Sequence, residues 1–173
     1  MSVSTSNRVI RSALVLLGVT SAAIPGCGTT SPGSTLESNK QLVRQMNAEV
    51  WNNANLKAID GLFSPDFVLH FLPDGSETRG LEGLREHVRE LRRAFPDWNE
   101  EIIRIVAERD LVVIHYVSTG THQGQWLGKP PTGNRIQVNE VSIFRIEDGR
   151  IVEQWLLPDM GSMQQQLTGT GDE

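Results

Sequence analysis

Cysteine is nearly absent from this sequence: Cys27 is the only one, so no disulfide can form within the chain. The fold must therefore rest on its hydrophobic core. The four histidines lie apart, at His70, His87, His115 and His122, without the paired spacing of a zinc site. Glycine-rich phosphate and dinucleotide motifs and the Gly-x-Ser-x-Gly motif of serine hydrolases are also missing. We therefore expect neither a metal nor a cofactor.

Basic residues are also few in this chain. Lys and Arg number 16 against 21 Asp and Glu, which gives a formal net charge of −5. Nucleic-acid-binding domains usually carry a basic surface that neutralises phosphates. The acidic composition therefore predicts no nucleic acid partner, and a length of 173 residues suits one domain.

Long apolar runs are missing as well, since a helix that spans a bilayer needs roughly 20 apolar residues. The apolar run at residues 12–23 is shorter, and it follows a polar start that carries Arg8 and Arg11 and no acidic residue. A basic start followed by a short apolar run is typical of a secretory signal peptide. We assign residues 1–26 to such a signal.

The signal ends in Ile24-Pro25-Gly26-Cys27, which resembles the lipobox of bacterial lipoproteins. The resemblance implies cleavage before Cys27, attachment of a lipid to it, and an exported protein anchored to a membrane. The alternative is an ordinary cleaved signal followed by a free cysteine. The remaining predicted boundaries are a flexible tether at 27–37, a domain at 38–168 and a disordered tail at 169–173.

The first half of the domain shows helical spacing of its apolar residues. Ser38 and Gln41 form a capping-box pattern at the start of one helix, and Asn55 is a candidate cap for a second, shorter helix. Apolar residues then recur at helical spacing from Leu81 to Phe95, where a third helix ends.

The second half is rich in Val and Ile, in short runs separated by turn signals, which predicts strands. Asp148-Gly149 is a hairpin signal between the last two of them. Helices followed by an antiparallel meander predict an α+β fold, with helices packed on a curved, mainly antiparallel sheet that encloses a pocket. The first half contributes one predicted strand, at 67–72. The second half contributes four, at 100–107, 111–121, 135–146 and 150–157.

Seven short segments of the domain resemble the SnoaL-like polyketide cyclase (ester cyclase) family, part of the NTF2-like group of cone-shaped α+β domains. The resemblance implies an NTF2-like cone and an aldol-type ring closure by acid/base chemistry, without metal or cofactor. Other relatives only bind a ligand or have no known reaction. In order, the segments are 49–52, 65–68, 94–97, 120–124, 130–133, 144–153, and Trp155 with Asp159.

Two residues are candidates for catalysis by this resemblance. Asp159 matches the acid/base aspartate of the cyclases, and one carboxyl group can serve as base and acid if apolar neighbours raise its pKa. The alternative is that Asp159 caps the closing helix. His122 lies in the family's Gly-Thr-His segment, where it either contacts substrate or shapes a solvated turn at the edge of the sheet.

Nine side chains are candidates for lining the pocket. Glu140 shares a strand face with apolar residues, so it is either a second pocket acid or a sign that this face is partly wet. His70 lies either in the pocket or on the solvent face, and the aromatic residues are either a lining for a flat ligand or ordinary core. Gln154 stands where a histidine often precedes Trp155 in the family. The nine are Trp51, His70, Phe95, Trp98, Tyr116, Trp126, Glu140, Phe144 and Trp155.

Three functions are compatible with these features. The first is a cofactor-independent cyclase or isomerase of a small hydrophobic carbonyl compound, and the second is a non-catalytic protein that binds such a molecule at the membrane. The third is a sheet face that serves only to form a homodimer. Export favours the binding protein, because polyketide assembly takes place in the cytoplasm.

We expect Cys27→Ser to move the protein from the membrane fraction to the soluble fraction, because a serine at this position cannot receive the lipid. Fractionation of bacterial cells that express either form, followed by immunoblotting, measures the distribution. Wild-type protein recovered entirely in the soluble fraction would contradict the lipid anchor.

Overall fold

The structure is a computed structural model, and it describes Met1 and residues 32–169. Residues 2–26 of the predicted signal, the predicted tether from Cys27 to residue 31, and residues 170–173 of the predicted tail lie outside the described residues. The helices are α1 (Pro32–Met46), a π-helical turn (Asn47–Asn52), α2 (Ile59–Leu62), α3 (Gly80–Ala94) and α4 (Met160–Thr168). The strands are β1 (Phe63–Phe71), β2 (Ser76–Arg79), β3 (Asn99–Glu108), β4 (Leu111–Thr121), β5 (Arg135–Glu147) and β6 (Arg150–Pro158).

The six strands form one curved, unclosed sheet in the order β2-β1-β6-β5-β4-β3. All neighbouring strands are antiparallel except β1 and β6, which are parallel. Helix α1 packs on β3 and β4, α3 on β1 and β2, and α4 on β5. The predicted α+β fold, with helices on a curved and mainly antiparallel sheet, is confirmed. Among the described residues, no helix is long and apolar enough to cross a membrane.

Strict alternation along β4 and β5 determines which side of the sheet is buried. Every second residue of these strands faces the helices and is buried, because successive side chains of a strand point to opposite faces. Ile114 and Phe144 lie in the apolar part of this face. Near the middle of the strands Tyr116 and Glu140 replace the aliphatic residues, and there the sheet borders a cavity.

The N-terminal helices begin at positions that differ from the prediction. Helix α1 begins at Pro32, so residues 32–37 are helical and Ser38 lies inside the helix instead of capping it. Proline is favoured at the first position of a helix because it has no N–H to leave unpaired there. Asn55 does not cap α2 either, since its side chain donates to Glu49 Oε2 at 2.9 Å and α2 begins at Ile59.

Strands β1 and β2 also differ from the prediction. Strand β1 begins at Phe63, four residues early, because Phe63 already pairs with Ile151 of β6 before a shift in register. Strand β2 was not predicted, since its residues are polar and show no apolar alternation. A turn in which Asp74 Oδ1 accepts the N–H of Ser76 at 2.8 Å brings it alongside β1. Strand pairing, which is not local in sequence, creates both differences.

The loop between β4 and β5 is hydrogen-bonded to the C-terminal end of α3. The N–H groups of Gln123 and Gly124 both donate to the carbonyl of Ala94, at 2.8 and 3.1 Å. The loop then carries Trp126 over the cavity. The closeness of the two backbones requires a glycine at position 124.

We expect Gly124→Ala to lower the free energy of unfolding by about 1–3 kcal/mol, because the added methyl would overlap the carbonyl of Arg93 and lie 3.1 Å from Ala94 Cα. Gly61→Ala is the matched control, since it has open space for the methyl and lies in α2. Urea unfolding of both variants measures the effect. Equal stability of the two variants would contradict this packing.

Candidate functional site

A cavity of about 610 Å³ lies between the concave face of the sheet and the helices. Its volume falls in the range of pockets that bury a drug-sized organic molecule. Much of its wall is aromatic or aliphatic, with Trp51, Trp98 and Trp126 as the largest side chains. Its polar groups include Glu100, Tyr116, Glu140, Gln154 and His87.

Glu140 is a buried carboxyl group on β5, with 7% of its surface exposed. The hydroxyl of Tyr116, directly across on β4, donates to its Oε2 at 3.3 Å. Burial raises the pKa of Glu140 to about 7, because a carboxylate loses its hydration here, and interactions with the hydroxyls of Ser118 and Tyr116 oppose this rise. Near neutral pH the group is thus present in both protonation states.

Glu100, on β3, is a second buried carboxyl group in the same cavity, with 8% of its surface exposed. Its Oε2 accepts from Asn47 Nδ2 at 2.6 Å and its Oε1 from Trp98 Nε1 at 3.1 Å. Burial, together with the charge of Glu140, raises its pKa to about 8. The side chain of Asn52 also forms two hydrogen bonds with the backbone of Glu100. Its Oδ1 accepts from the Glu100 N–H at 2.7 Å, and its Nδ2 donates to the Glu100 carbonyl at 2.9 Å. The π-helical turn thus fixes Glu100.

A chain of hydrogen bonds leads from Glu140 across the cavity face of three strands. Ser142 Oγ lies 3.2 Å from the Tyr116 hydroxyl, and Gln154 Nε2 on β6 donates to Ser142 Oγ at 3.1 Å. Burial raises the pKa of Tyr116 well above its ordinary value, and the charges of Glu140 and Glu100 raise it further. Tyr116 therefore keeps its proton and remains a donor.

His87 faces these groups from α3. Its ring lies edge-on to Trp51 at a centroid distance of 6.0 Å and tilted to Trp126 at 6.5 Å. Burial lowers the pKa of His87, so the imidazole is neutral at neutral pH. Glu100 and Glu140 thus lie on the sheet side of the cavity, whereas α3 contributes the neutral His87 together with the charged residues Glu90 and Arg93.

Asp159 lies at the first turn of α4 and does not line the cavity. Its Oδ1 accepts the N–H of Ser162 at 3.0 Å, and its side chain is exposed. Of the two predicted roles, the structure shows the helix cap. The chain leaves β6 at Pro158, so the side chain of Asp159 turns toward the helix end.

His122 is buried outside the cavity, where it joins the two ends of the loop between β4 and β5. Its Nδ1 lies 3.1 Å from Thr132 Oγ1, and its ring stacks on Phe95 at 5.3 Å. Burial lowers its pKa. The predicted alternative, a solvated turn, is therefore wrong in one part: Phe95 and the loop cover the ring, so His122 is not solvated. The residue does shape the loop, through its contact with Thr132.

Five of the nine predicted lining residues contact the cavity, namely Trp51, Trp98, Tyr116, Trp126 and Glu140. Phe95 and Phe144 belong to the apolar core instead. His70 and Trp155 stack on each other at 5.4 Å on the opposite face of the sheet, where His70 lies 3.0 Å from Glu153 and 3.1 Å from Glu77. The correction follows from strand alternation, since Leu69 and Gln154 occupy the cavity side.

Sequence reasoning missed Glu100, His87 and the cavity position of Gln154. Glu100 precedes an apolar run, and its position opposite Ser118 on the buried face of β4 depends on strand register. His87 lies among charged residues on α3, at a position where helical spacing alone does not indicate a pocket. Among the described residues, no group of three or more His, Cys, Asp or Glu could hold a metal ion.

Comparison with protein families gives a match over most of the domain. Residues 41–167 match the family of SnoaL-like polyketide cyclases. No curated protein matches this chain.

Solved structures similar to this chain include proteins with different descriptions. AclR from Streptomyces galilaeus, described as a candidate hydroxylase, has 31% identity, a TM-score of 0.68, and coverage of 78% of this chain and 98% of its own. A candidate polyketide cyclase from Acidithiobacillus ferrooxidans has 31% identity, a TM-score of 0.68, and coverage of 78% and 96%. A candidate SnoaL-like polyketide cyclase from Jannaschia sp. CCS1 has 23% identity, a TM-score of 0.72, and coverage of 77% and 93%. At this identity the similarity shows only that the two proteins share a fold.

We expect Glu140 to stabilise the folded protein less as the pH rises. Its folded pKa of about 7 lies above its ordinary value of 4.5, so its contribution is fully present below pH 4.5 and is lost as the pH rises through 7. The free energy of unfolding of wild type should fall by about 1–3 kcal/mol relative to Glu140→Gln between pH 4.5 and 8.5.

Urea unfolding at a series of pH values measures this difference. Glu101→Gln is the matched control, because Glu101 lies on the exposed face of β3 beside Glu100. Its stability should run parallel to that of wild type over the whole range. A parallel curve for Glu140→Gln as well would show that Glu140 titrates normally.

Proposed function

Because the chain belongs to the SnoaL-like polyketide cyclase family, we propose that it is a cofactor-independent cyclase or isomerase of a small hydrophobic carbonyl compound. The observation that supports this most is a carboxyl group, Glu140, that is buried in the wall of the cavity beside a tyrosine hydroxyl. Similar structures are described as a hydroxylase and as a polyketide cyclase, so their descriptions do not fix the reaction class, and the side chains of the cavity are the guide to it.

In this proposal Glu140 is the general base. Removal of a proton next to a carbonyl is favoured by a base whose pKa lies near the working pH, and Glu140 meets that requirement. Glu140 Oε2 accepts from Tyr116, and the Ser118 hydroxyl also interacts with this carboxyl group. Glu100 is less suited to this role, because Asn47 and Trp98 occupy both of its oxygens.

Tyr116 is the proposed donor to the oxygen on which negative charge develops. When Glu140 takes the proton, the C–H electron pair moves into the enolate, and Glu140 loses the charge that holds the Tyr116 hydroxyl. The hydroxyl can then donate to the enolate oxygen in a site with little competing water. In a ring closure, the enolate carbon bonds to a second carbonyl carbon, and Glu140 returns its proton to the new alkoxide.

The tryptophan side chains of the cavity favour a flat, apolar substrate. Trp51, Trp98 and Trp126 offer large faces on which a conjugated ring can stack. Burial lowers the pKa of His87, so its ring adds no positive charge of its own beside Trp51 and Trp126. Apolar walls also keep the pKa of Glu140 high, so binding and proton transfer depend on the same burial.

A second candidate function is binding of such a molecule without chemistry. The observation that favours it is that Glu100 is held by Asn47 and Trp98, a pattern that stabilises a structure without any reaction. Export to a membrane surface through a lipid on Cys27 would suit this function, and that location is itself a proposal.

A homodimer formed through the outer face of the sheet, where Leu157 is 49% exposed, is a proposal as well.

The test is exchange of the methyl protons of 2-acetonaphthone for deuterium in D₂O, followed by proton NMR. We expect wild type to accelerate exchange, and Glu140→Gln to be slower by about 10²–10⁴-fold, because it lacks the base. Asp159→Asn keeps an oxygen to cap α4 and should exchange at the wild-type rate.

Two outcomes would contradict the proposal. Loss of exchange in Asp159→Asn with normal exchange in Glu140→Gln would make Asp159 the base. Binding of the ketone by wild type without any acceleration would favour the non-catalytic binding protein. Tryptophan fluorescence of the same samples, measured during titration, separates loss of binding from loss of chemistry.

A further inference from the structure

His87 is a histidine of α3 whose side chain is half-buried and lines the cavity. Its ring lies edge-on to Trp51 and tilted to Trp126, and among the described residues neither ring nitrogen has a hydrogen-bond partner. Both nitrogens are accessible, whereas the indole nitrogen of Trp126 is buried in the same wall. The two indoles therefore hold the ring, while its polar atoms are left for a group that enters the cavity.

The protonation state of His87 determines what the ring can offer such a group. Burial lowers its pKa, and the opposing effect of the charge on Glu90 is smaller. A neutral imidazole carries one N–H donor and one acceptor nitrogen. Among the described residues no group fixes which nitrogen holds the proton, so a ligand oxygen can receive the N–H from either. The ring donates such a bond without giving up its proton.

Ring closure builds negative charge on two oxygens in succession. The first is the enolate oxygen, for which Tyr116 is the proposed donor beside Glu140 on the sheet. The second is the oxygen of the attacked carbonyl, because the π electrons move onto it as the new carbon–carbon bond forms. A donor directed at this second oxygen stabilises the alkoxide before Glu140 returns its proton. In a substrate whose enolate half faces the sheet, the attacked carbonyl lies toward the helices.

Arg93 is another basic residue of α3 in the cavity wall, and it is less suited to this second oxygen. Its side chain is 63% exposed and pairs with Glu86 at 2.7 Å. Water and the ion pair already satisfy the guanidinium, so a carbonyl gains little from contact with it. His87 is desolvated, and a hydrogen bond is stronger where little water competes.

We propose that His87 is a second catalytic residue, whose ring N–H donates to the oxygen of the attacked carbonyl during ring closure. This inference rests on the proposed function, since it concerns the same reaction, and it adds a residue to the second step. Electrons pass from the enolate into the new carbon–carbon bond, and from the carbonyl bond onto its oxygen. Glu140 then gives that oxygen the proton it took, so His87 ends the cycle unchanged.

The test uses 1,8-diacetylnaphthalene, in which the methyl carbon of one acetyl group can close a six-membered ring on the other carbonyl. Liquid chromatography measures the ring-closed product, as the aldol and its dehydrated enone together. We expect His87→Phe to lower kcat for closure by about 10²-fold, a loss typical of one missing donor to a developing oxyanion. Proton exchange of 2-acetonaphthone stops at the first step, so it should stay close to the wild-type rate.

Three further variants serve as controls, and a thermal melt shows that each is folded. His87→Gln keeps an N–H donor and should recover much of the closure rate. His115→Phe makes the same change on the outer face of the sheet and should close the diketone at the wild-type rate. Glu140→Gln should lose both closure and exchange, because the base acts in both.

If His87→Phe does not fold, nitrogen-15 NMR of Glu140→Gln still decides. This variant cannot close the ring, so it holds the intact diketone in the cavity. We expect the ring nitrogens of His87 to shift on binding. The other three histidines do not line the cavity, so their signals should stay in place and identify the one that moves.

Closure by His87→Phe at the wild-type rate would overturn the inference, as would an effect on KM alone or unchanged histidine nitrogens in the bound complex. Equal losses of closure and exchange would also overturn it, since His87 would then serve the first step. Wild type that exchanges protons through Glu140 but does not close the ring would overturn this inference alone. Absence of both exchange and closure in wild type would overturn the proposed function as well.

Discussion

The arrangement of this domain depends on the burial of two carboxyl groups, Glu100 and Glu140, on the concave face of one sheet. A carboxylate that leaves water is strongly disfavoured unless it is protonated or hydrogen-bonded. The chain meets this constraint in both ways. Burial raises both pKa values toward neutrality, while Asn47, Trp98 and Tyr116 supply the donors. The π-helical turn at the end of the first helix carries Asn47 and Asn52, and both side chains form hydrogen bonds with Glu100. An irregular turn at this point therefore has a structural role, which is to hold Glu100.

Much of the fold followed from local patterns. Alternation along β4 and β5 and helical spacing along α3 predicted those elements nearly to the residue, because one face of each is apolar and the other is polar. The same alternation put Glu140 on a strand face with apolar residues and left open whether it was a pocket acid or a sign of a partly wet face, and the structure shows it buried beside the cavity. Strand β2 could not be found this way, since its four polar residues are ordered by pairing with β1 and not by burial.

The candidate site was harder to predict than the fold, because its groups come from strands that are distant in sequence. Glu100 lies on the buried face only through the register of β3 on β4, and His87 meets Trp51 and Trp126 only after α3 has packed. The family resemblance indicated Asp159, but the direction of its side chain depends on the turn into α4. A residue pattern shows which groups are available, and only packing shows which of them share one cavity.

The proposed role of Glu140 as a base depends on burial that holds its pKa at about 7. Carbon-13 NMR of the glutamate side-chain carboxyls, titrated from pH 4 to 9 and assigned with Glu140→Gln, tests it most directly. We predict a resonance that titrates near pH 7 in wild type and is missing from the variant. Titration of every glutamate carboxyl near the ordinary value of 4.5 would contradict this account.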